Sequence, residues 1–199
     1  MDLLISTRNR HKLEEIRAIL GDQPLNLLDL NAYPDAPDVV EDGVTFEANA
    51  VKKAVTLARL TGLWTLADDS GLEVDALNGA PGVYSARYAG EPADYARNNA
   101  KLLAELAGTE RRTARFRCVL ALAAPDGRVA TVEGRCEGRI AHSARGASGF
   151  GYDPLFVPDG FGRTFAELEP GDKNRISHRA QALEAARRAW ARPDGGFGI

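Results

Sequence analysis

The stretch "LLISTRNRHKLEEIRAIL" (residues 3–20) predicts a buried strand, a turn and then an amphipathic helix. Its first residues form a continuous apolar run, and Leu13, Ile16 and Leu20 fall on one face of a helix over residues 9–20. A short connection between a strand and a helix is typical of α/β folds, in which the two elements alternate along the chain. This stretch therefore indicates the fold class.

The first turn of this helix carries an unusual charge. Asn9 is the predicted N-cap, so Arg10, His11 and Lys12 occupy the start of the helix. The N-terminus of a helix is the positive end of its dipole and favours carboxylates over cations. An anion bound at this position would remove the conflict, because free backbone N–H groups and cationic side chains both bind phosphate.

The same pattern recurs near the end of the chain. Ser177 is the predicted N-cap of a helix over residues 178–191, so His178 and Arg179 begin it, and Lys173 stands just before. Either site alone is explained by ordinary surface residues. Two of them in a chain of net charge -3 favour local anion binding.

Composition limits the remaining classes. The chain has 199 residues and a net charge of -3, which fits one domain and argues against a nucleic-acid partner. No apolar run approaches the ~18 residues of a membrane span, and no secretory signal is recognisable. With only two cysteines, Cys118 and Cys136, we expect reduced thiols and a cytoplasmic location, although pairing of these two stays open.

The rest of the pattern predicts one α/β domain over residues 1–199 with a mixed sheet. The predicted elements are a helix over 46–60 capped by Thr45, a strand over 63–67, a helix after Pro92, a hairpin around Pro125-Asp126-Gly127, a short strand after the loop "ASGFGYDP", and a frayed tail over 192–199.

Two adjacent carboxylates, Asp68 and Asp69, stand at the end of the strand predicted over 63–67. Neighbouring carboxylates repel unless a cation lies beside them, and oxygen ligands suit Mg²⁺. Glu41, in an acidic loop, could add a ligand. The alternative is an ordinary Asp-Asp-Ser-Gly turn. Zinc is disfavoured, because the histidines form no spaced pair with each other or with cysteine.

The glycine-rich loop offers a different kind of contact. Its glycines allow close backbone approach to a ligand, and Phe150 and Tyr152 offer rings for stacking. The alternative is an ordinary loop whose aromatic side chains lie in the core.

Five motifs in order resemble one family, the Ham1-like inosine/xanthosine triphosphate pyrophosphatases, which act on non-standard purine nucleotides. The motifs are "STRNRHKLEE", "FEANAVKKA", "ADDSGLEVDALNGAPGVYSARYAG", "GFGYDPLF" and "KNRISHRAQAL". Many relatives have Gly at the position of Arg8. The resemblance covers nearly the whole chain and implies two lobes around a long central sheet, a nucleotide cleft between the lobes, and a homodimer.

The resemblance also implies an activity, the hydrolysis of ITP, dITP or XTP to the monophosphate and pyrophosphate, with Mg²⁺. Asp69 corresponds to the proton acceptor and metal ligand, with Asp68 and Glu41 as further metal ligands. The implied substrate contacts are Thr7, Arg8, Asn9, Arg10, His11, Lys12 and Lys53 for the triphosphate, then Ser70, and Phe150, Gly151, Tyr152, Asp153, Lys173, His178 and Arg179 for the nucleoside.

Two other functions remain open at this point. One is a nucleotide-binding regulator without turnover, and the other is a phosphatase that removes only the γ-phosphate. The presence of Asp69 and Lys12 disfavours the regulator. Identification of the products separates the other two.

Overall fold

The computed structural model describes residues 1–192 and 196–198. Six strands form one sheet in the order β2-β1-β3-β4-β5-β6. The strands are β1 (Asp2–Ile5), β2 (Asn26–Asp29), β3 (Trp64–Val74), β4 (Thr113–Ala123), β5 (Val129–Ile140) and β6 (Phe156–Pro158). Strand β1 runs parallel to β2 and β3, and β5 runs antiparallel to β6, so the sheet is mixed. The predicted α/β class with a mixed sheet is confirmed.

In the described residues, five α-helices accompany the sheet: α1 (Arg10–Leu20), α2 (Phe46–Thr61), α3 (Tyr95–Glu105), α4 (Pro170–Ile176) and α5 (His178–Trp190). The predicted caps of the first two are confirmed. The Asn9 side chain accepts hydrogen bonds from the backbone N–H groups of His11 and Lys12, and Thr45 accepts one from Ala48. Gly62 ends α2 at a φ of 70°, a conformation that glycine adopts without strain.

The chain forms two compact units. Unit 1 comprises residues 1–69, residues 118–134 and the described residues from Arg179 onward, and unit 2 comprises residues 70–117 and 135–178. The core of unit 1 is built on apolar residues of α1, β1, β3, β4 and α5, including Ile16, Leu66 and Leu183. The core of unit 2 is separate and rich in aromatic side chains, among them Phe156 and Phe165.

Strand β3 is longer than predicted. It continues through the two aspartates to Val74, with Leu72 and Val74 fully buried, so residues 68–71 form no turn. The predicted strand ended at residue 67, before the two aspartates, and unpaired carboxylates are rarely buried. The two carboxylates lie within the strand, and the contacts that permit this are described below.

Two other differences concern the end of the chain. Lys173 lies on the short helix α4, which was not predicted. The tail was expected to fray over 192–199, of which residues 193–195 and 199 lie outside the described residues. Phe197 is fully buried, packs against Trp190 at 6.2 Å between ring centroids, and pairs with Ala191 in a β-bridge, so this part of the tail belongs to the core.

Candidate active site

Strand β3 carries Asp68 and Asp69 side by side in unit 1, and both are buried. Successive residues of a strand point to opposite faces of the sheet. Asp68 is bonded to side chains of α1 and α5, whereas Asp69 lies beside side chains of α2. The two carboxylates therefore have separate surroundings, although they are neighbours in the chain.

Asp68 is held by two cations. Its Oδ1 accepts a hydrogen bond from Lys12 Nζ at 2.5 Å, and its Oδ2 accepts one from Arg179 Nε at 2.8 Å. Burial by itself would raise the pKa of Asp68, but the charges of Arg179 and Lys12 outweigh it and hold this pKa well below the usual range. Asp68 is therefore a permanent anion with both oxygens engaged.

The two cations stay charged for the same reason. Burial opposes the charge of Lys12 and of Arg179, but Asp68 raises the pKa of each. Glu15 of α1 also accepts a hydrogen bond from Arg179, which gives the cluster two cations and two carboxylates. We call Lys12, Glu15, Asp68 and Arg179 the buried charge cluster. A buried cluster of this kind is tolerated because each charge has an opposite partner.

This cluster corrects one part of the sequence argument. The cations at the helix starts need no bound anion to explain them, because they have carboxylate partners in the chain: Arg10 pairs with Glu14 at 2.8 Å, and Lys12 and Arg179 pair with Asp68. Arg8, at the same loop, pairs with Asp38. Their contact with phosphate stays a prediction.

Asp69 has the opposite environment. Its Oδ1 lies 3.7 Å from Lys53 Nζ, and its Oδ2 is buried with no hydrogen-bond partner among the described residues. Burial raises the pKa of Asp69, and the charges of Lys53 and Lys12, together with a hydrogen bond from Asn49, offset this only in part. The raised pKa and the free oxygen are the properties of a proton acceptor.

Lys53 connects Asp69 to the acidic loop before α2. Its Nζ donates to Glu41 Oε1 at 2.6 Å and to the backbone oxygen of Asp68 at 2.7 Å. Asn49, one helical turn before Lys53, accepts a hydrogen bond from Gly43 N–H at 2.7 Å and so fixes that loop on the helix. One basic group, Lys53, thus lies between the carboxylates of Asp69 and Glu41.

The predicted metal ligands are brought together only in part. No group of three or more His, Cys, Asp or Glu side chains in the described ranges is arranged to hold a metal ion. Both Asp68 oxygens are engaged by cations, which does not fit a metal ligand. The buried, unpartnered Oδ2 of Asp69 does fit a metal ligand. Glu41 offers a second carboxylate, because Glu41 and Asp69 both lie beside Lys53 Nζ.

The remaining residues of the phosphate motif lie at the start of α1 in unit 1. Thr7 Oγ1 accepts a hydrogen bond from Asn9 N–H at 3.1 Å and shapes the turn. His11 and Arg10 are exposed on the first turn. Of this group, the structure brings only Lys12 to the aspartates.

The glycine-rich loop of unit 2 is organised by Asp153. Its Oδ2 accepts hydrogen bonds from Phe150 N–H at 2.8 Å and from Lys173 Nζ at 2.5 Å. Lys173 Nζ also lies 5.0 Å from the centroid of the Phe150 ring. A Cβ at Gly149 would stand 2.0 Å from Asp153 Oδ2, so this close approach requires glycine, as does its φ of 76°.

The other unit 2 positions differ in exposure. Tyr152 is buried, and its hydroxyl donates to the Ser85 carbonyl at 2.9 Å. Its ring therefore lies in the core, as expected for an ordinary loop. His178 is also buried and stacks on Phe116 with 4.7 Å between ring centroids. Ser70 and Gly151 are partly buried.

Three residues of unit 1 that contact the aspartates or their partners were not predicted: Asn49 at Asp69, Cys118 at Asp68, and Glu15, which accepts from Arg179. Asn49 lies among the apolar residues that α2 buries. A polar residue at such a position is a sequence signal for a functional or positioning role. Glu15 and Cys118 give none, since a helix-surface glutamate and a cysteine in an apolar strand are ordinary in these places.

These features define an α/β protein with a buried carboxylate, Asp69, whose pKa is raised and whose Oδ2 has no hydrogen-bond partner among the described residues. The model of the Ham1 family matches residues 3–189, so the chain belongs to that family, and the family resemblance in the sequence is confirmed. It is 53% identical over 188 residues to the dITP/XTP pyrophosphatase of Desulforamulus reducens, with 94% of both chains covered. It is 56% identical over 183 residues to that of Geobacter sulfurreducens, covering 91% of this chain and 92% of the relative.

Solved structures agree with the assignment. The Ham1 protein of Staphylococcus aureus superimposes with a TM-score of 0.85 at 38% identity, covering 94% of this chain and 97% of that one. A nucleoside-triphosphatase, dITP/XTP pyrophosphatase, of Mycobacterium abscessus gives a TM-score of 0.76 at 47% identity, covering 93% and 97%. In the described part of this chain, no helix is long and apolar enough to cross a membrane.

Proposed function

We propose that this chain hydrolyses non-standard purine nucleoside triphosphates, namely dITP, XTP and ITP, to the nucleoside monophosphate and pyrophosphate. The names of relatives at 53% and 56% identity over nearly the whole chain support this substrate class. The observation that carries the proposal is Asp69, a buried carboxylate with one open oxygen and a raised pKa. No other function explains so directly why an enzyme of this family would bury an unpartnered carboxylate oxygen.

Asp69 is the proposed catalytic base. Its Oδ2 accepts a proton from the water that attacks the α-phosphorus, and the pyrophosphate leaves on the opposite side. A positioned base contributes about 10²- to 10⁴-fold to the rate. The raised pKa of Asp69 strengthens its basicity, while Lys53 Nζ, 3.7 Å from Oδ1, keeps the carboxylate oriented.

The proposed triphosphate ligands are polar and cationic residues of unit 1. They are Thr7, Arg8, Asn9, Arg10, His11, Lys12 and Lys53. Charge develops on the leaving pyrophosphate, and fixed ammonium and guanidinium groups stabilise it. Lys12 is the strongest member of the set, because it is already held at Asp68 with its charge enforced.

We assign the nucleoside to Ser70, Phe150, Gly151, Tyr152, Asp153, Lys173, His178 and Arg179. Hypoxanthine and xanthine carry a 6-oxo group that accepts a hydrogen bond, whereas the 6-amino group of adenine donates one. A donor that faces the 6-position would be left unpaired by adenine, at a cost of about 1–3 kcal/mol. Guanine also has a 6-oxo group, so its rejection must act at the 2-position.

The proposed cofactor is Mg²⁺, held by Asp69 and Glu41. When bound, a divalent cation supplies charge stabilisation on phosphate oxygens and lowers the pKa of coordinated water. Asp68 was included among the metal ligands on the sequence. Because two cations engage its oxygens, we propose instead that it positions Lys12 and Arg179.

We further propose a homodimer in the cytoplasm. Both cysteines are free and buried, which agrees with a reducing compartment. Light scattering coupled to size-exclusion chromatography gives the mass directly. A single peak at 21.4 kDa would reject the dimer.

The deciding experiment is product identification by chromatography, with dITP, XTP and ATP each incubated with the purified chain and Mg²⁺. We expect dIMP and XMP with pyrophosphate, and ATP nearly untouched. Formation of dIDP and inorganic phosphate would reject the bond assignment and leave a γ-phosphatase. Binding of dITP without any product would leave a regulator.

A further inference from the structure

Cys118 lies on β4 within unit 1 and is fully buried. Its Sγ is 3.0 Å from Asp68 Oδ2, the same oxygen that accepts from Arg179 Nε. The thiol therefore contacts the carboxylate at the centre of the buried charge cluster. It is an uncharged donor beside two cationic donors.

The thiol acts as a donor and not as a nucleophile. Burial, followed by the negative charge of Asp68, raises the pKa of Cys118 well above its usual range. The sulfur stays protonated at neutral pH, and its S–H points its proton towards the charged oxygen. With no exposed surface, Cys118 is also shielded from oxidants and from metal ions in solution.

The thiol adds a donor to this carboxylate. The terminal torsion of an aspartate is broad, so the donors around it set the plane of the carboxylate. Lys12 contacts Oδ1, Arg179 reaches Oδ2 through Nε at 2.8 Å and Oδ1 through Nη2 at 3.5 Å, and the thiol joins Nε at Oδ2. The thiol approaches from β4 and not from either helix. It therefore restrains the plane of the Asp68 carboxylate, to which both cations are bonded.

We propose that Cys118 is a positioning residue, whose thiol orients the Asp68 carboxylate and through it holds Lys12 and Arg179 in place for substrate. The inference rests on the proposed function, in which Lys12 and Arg179 bind the substrate. Without the thiol, the carboxylate rotates and the two cations lose a common anchor. Binding is then weakened while Asp69, on the other face of β3, keeps its neighbours Lys53 and Asn49.

Two variants of nearly equal side-chain volume test this. Cys118→Ala removes the donor, and Cys118→Ser retains one. We expect Cys118→Ala to raise the KM for dITP by about 3- to 10-fold, the value of one ordinary hydrogen bond, because a thiol is a weak donor, with kcat within about twofold. Cys118→Ser is expected to restore KM to within about twofold of the unmodified chain.

Cys136 supplies the matched control. It is also buried, but its Sγ lies 3.9 Å from the Glu137 backbone oxygen, a group that is not proposed to bind substrate. Cys136→Ala and Cys136→Ser are expected to show the same KM. If Cys118→Ser and Cys118→Ala share one KM, or if Cys118→Ala keeps the original KM, the positioning role is overturned.

A second measurement keeps this test separate from the proposed function. If the unmodified chain does not turn over dITP, the proposed function fails, and thermal unfolding without substrate decides the inference. A hydroxyl bonded to Asp68 makes Cys118→Ser melt at a higher temperature than Cys118→Ala. The reverse order means that the hydroxyl is buried without its partner, and overturns the hydrogen bond itself.

Discussion

The two faces of β3 treat adjacent carboxylates in opposite ways. On the face of α1 and α5, Asp68 is saturated by Lys12 and Arg179, and its pKa is low. On the face of α2, Asp69 keeps an oxygen with no partner among the described residues, and its pKa is high. The difference teaches that burial alone does not decide the protonation chemistry of a carboxylate. The number of hydrogen-bond donors on each face of the strand decides it.

The largest expected effect is on catalysis. Asp69→Asn removes the proton acceptor, so turnover of dITP should fall by about 10²- to 10⁴-fold. Lys53 keeps its bonds to Glu41 and to the Asp68 carbonyl, so the fold stays intact. Because ionisation of a buried, poorly paired carboxylate costs free energy, Tm should stay equal or rise. Pyrophosphate release and calorimetry measure both. Activity close to that of the unmodified chain would remove Asp69 from the catalytic role.

The second effect is on stability. Asp68→Asn leaves Lys12 and Arg179 buried without their main counter-charge, which should lower the free energy of unfolding by about 3–5 kcal/mol. Urea unfolding of this variant beside Asp69→Asn gives the direct comparison. Equal free energies of unfolding for the two variants would contradict the difference proposed between the two faces of β3.

The third effect is the pH dependence of that stability. The pKa of Asp68 is lower in the folded state than its ordinary 3.8, so its contribution is complete above 3.8 and is lost as pH falls through the folded-state value. The difference in unfolding free energy between the unmodified chain and Asp68→Asn should shrink only in acid. Urea titrations from about pH 7 to pH 3 test this. A difference that shrinks near neutral pH would contradict the low pKa.

The smallest effect concerns the exposed cation at the start of α1. Arg10 and Glu14 have 87% and 56% of their side chains exposed, so Arg10→Ala should change the free energy of unfolding by less than about 0.5 kcal/mol. Its proposed contact with the triphosphate should appear as a rise in KM of about twofold. If Arg10→Ala loses about as much stability as Asp68→Asn, then exposure does not distinguish Arg10 from the cations that pair with Asp68.

Local patterns of the fold were accessible from the sequence. The caps Asn9 and Thr45, the stop at Gly62 and the hairpin at Pro125-Asp126-Gly127 each follow from short-range chemistry, and the structure has them. What the sequence pattern missed depends on distant partners. Strand β3 continues past Asp68 only because Lys12 and Arg179 pair with it from elsewhere in the chain.

The site shows the same limit. Asp68 and Asp69 were singled out together as metal ligands, because adjacent residues in a sequence carry no sign of which face each will occupy. Their division follows from the strand, once its length is known. Cys118 begins an apolar run directly after Arg117, with no carboxylate beside it in the sequence, and its carboxylate partner is 50 residues away.

The strand geometry also limits how this chain can vary in length. Substitutions within Trp64–Ala67 exchange one side chain for another, but removal of a single residue there would shift everything after it by one position. Asp69 would then meet Lys12 and Arg179, and Ser70 would face Lys53, so that β3 itself would offer no carboxylate on that side. Among the changes open to evolution, this segment should therefore accept replacement and reject insertions or deletions of one residue.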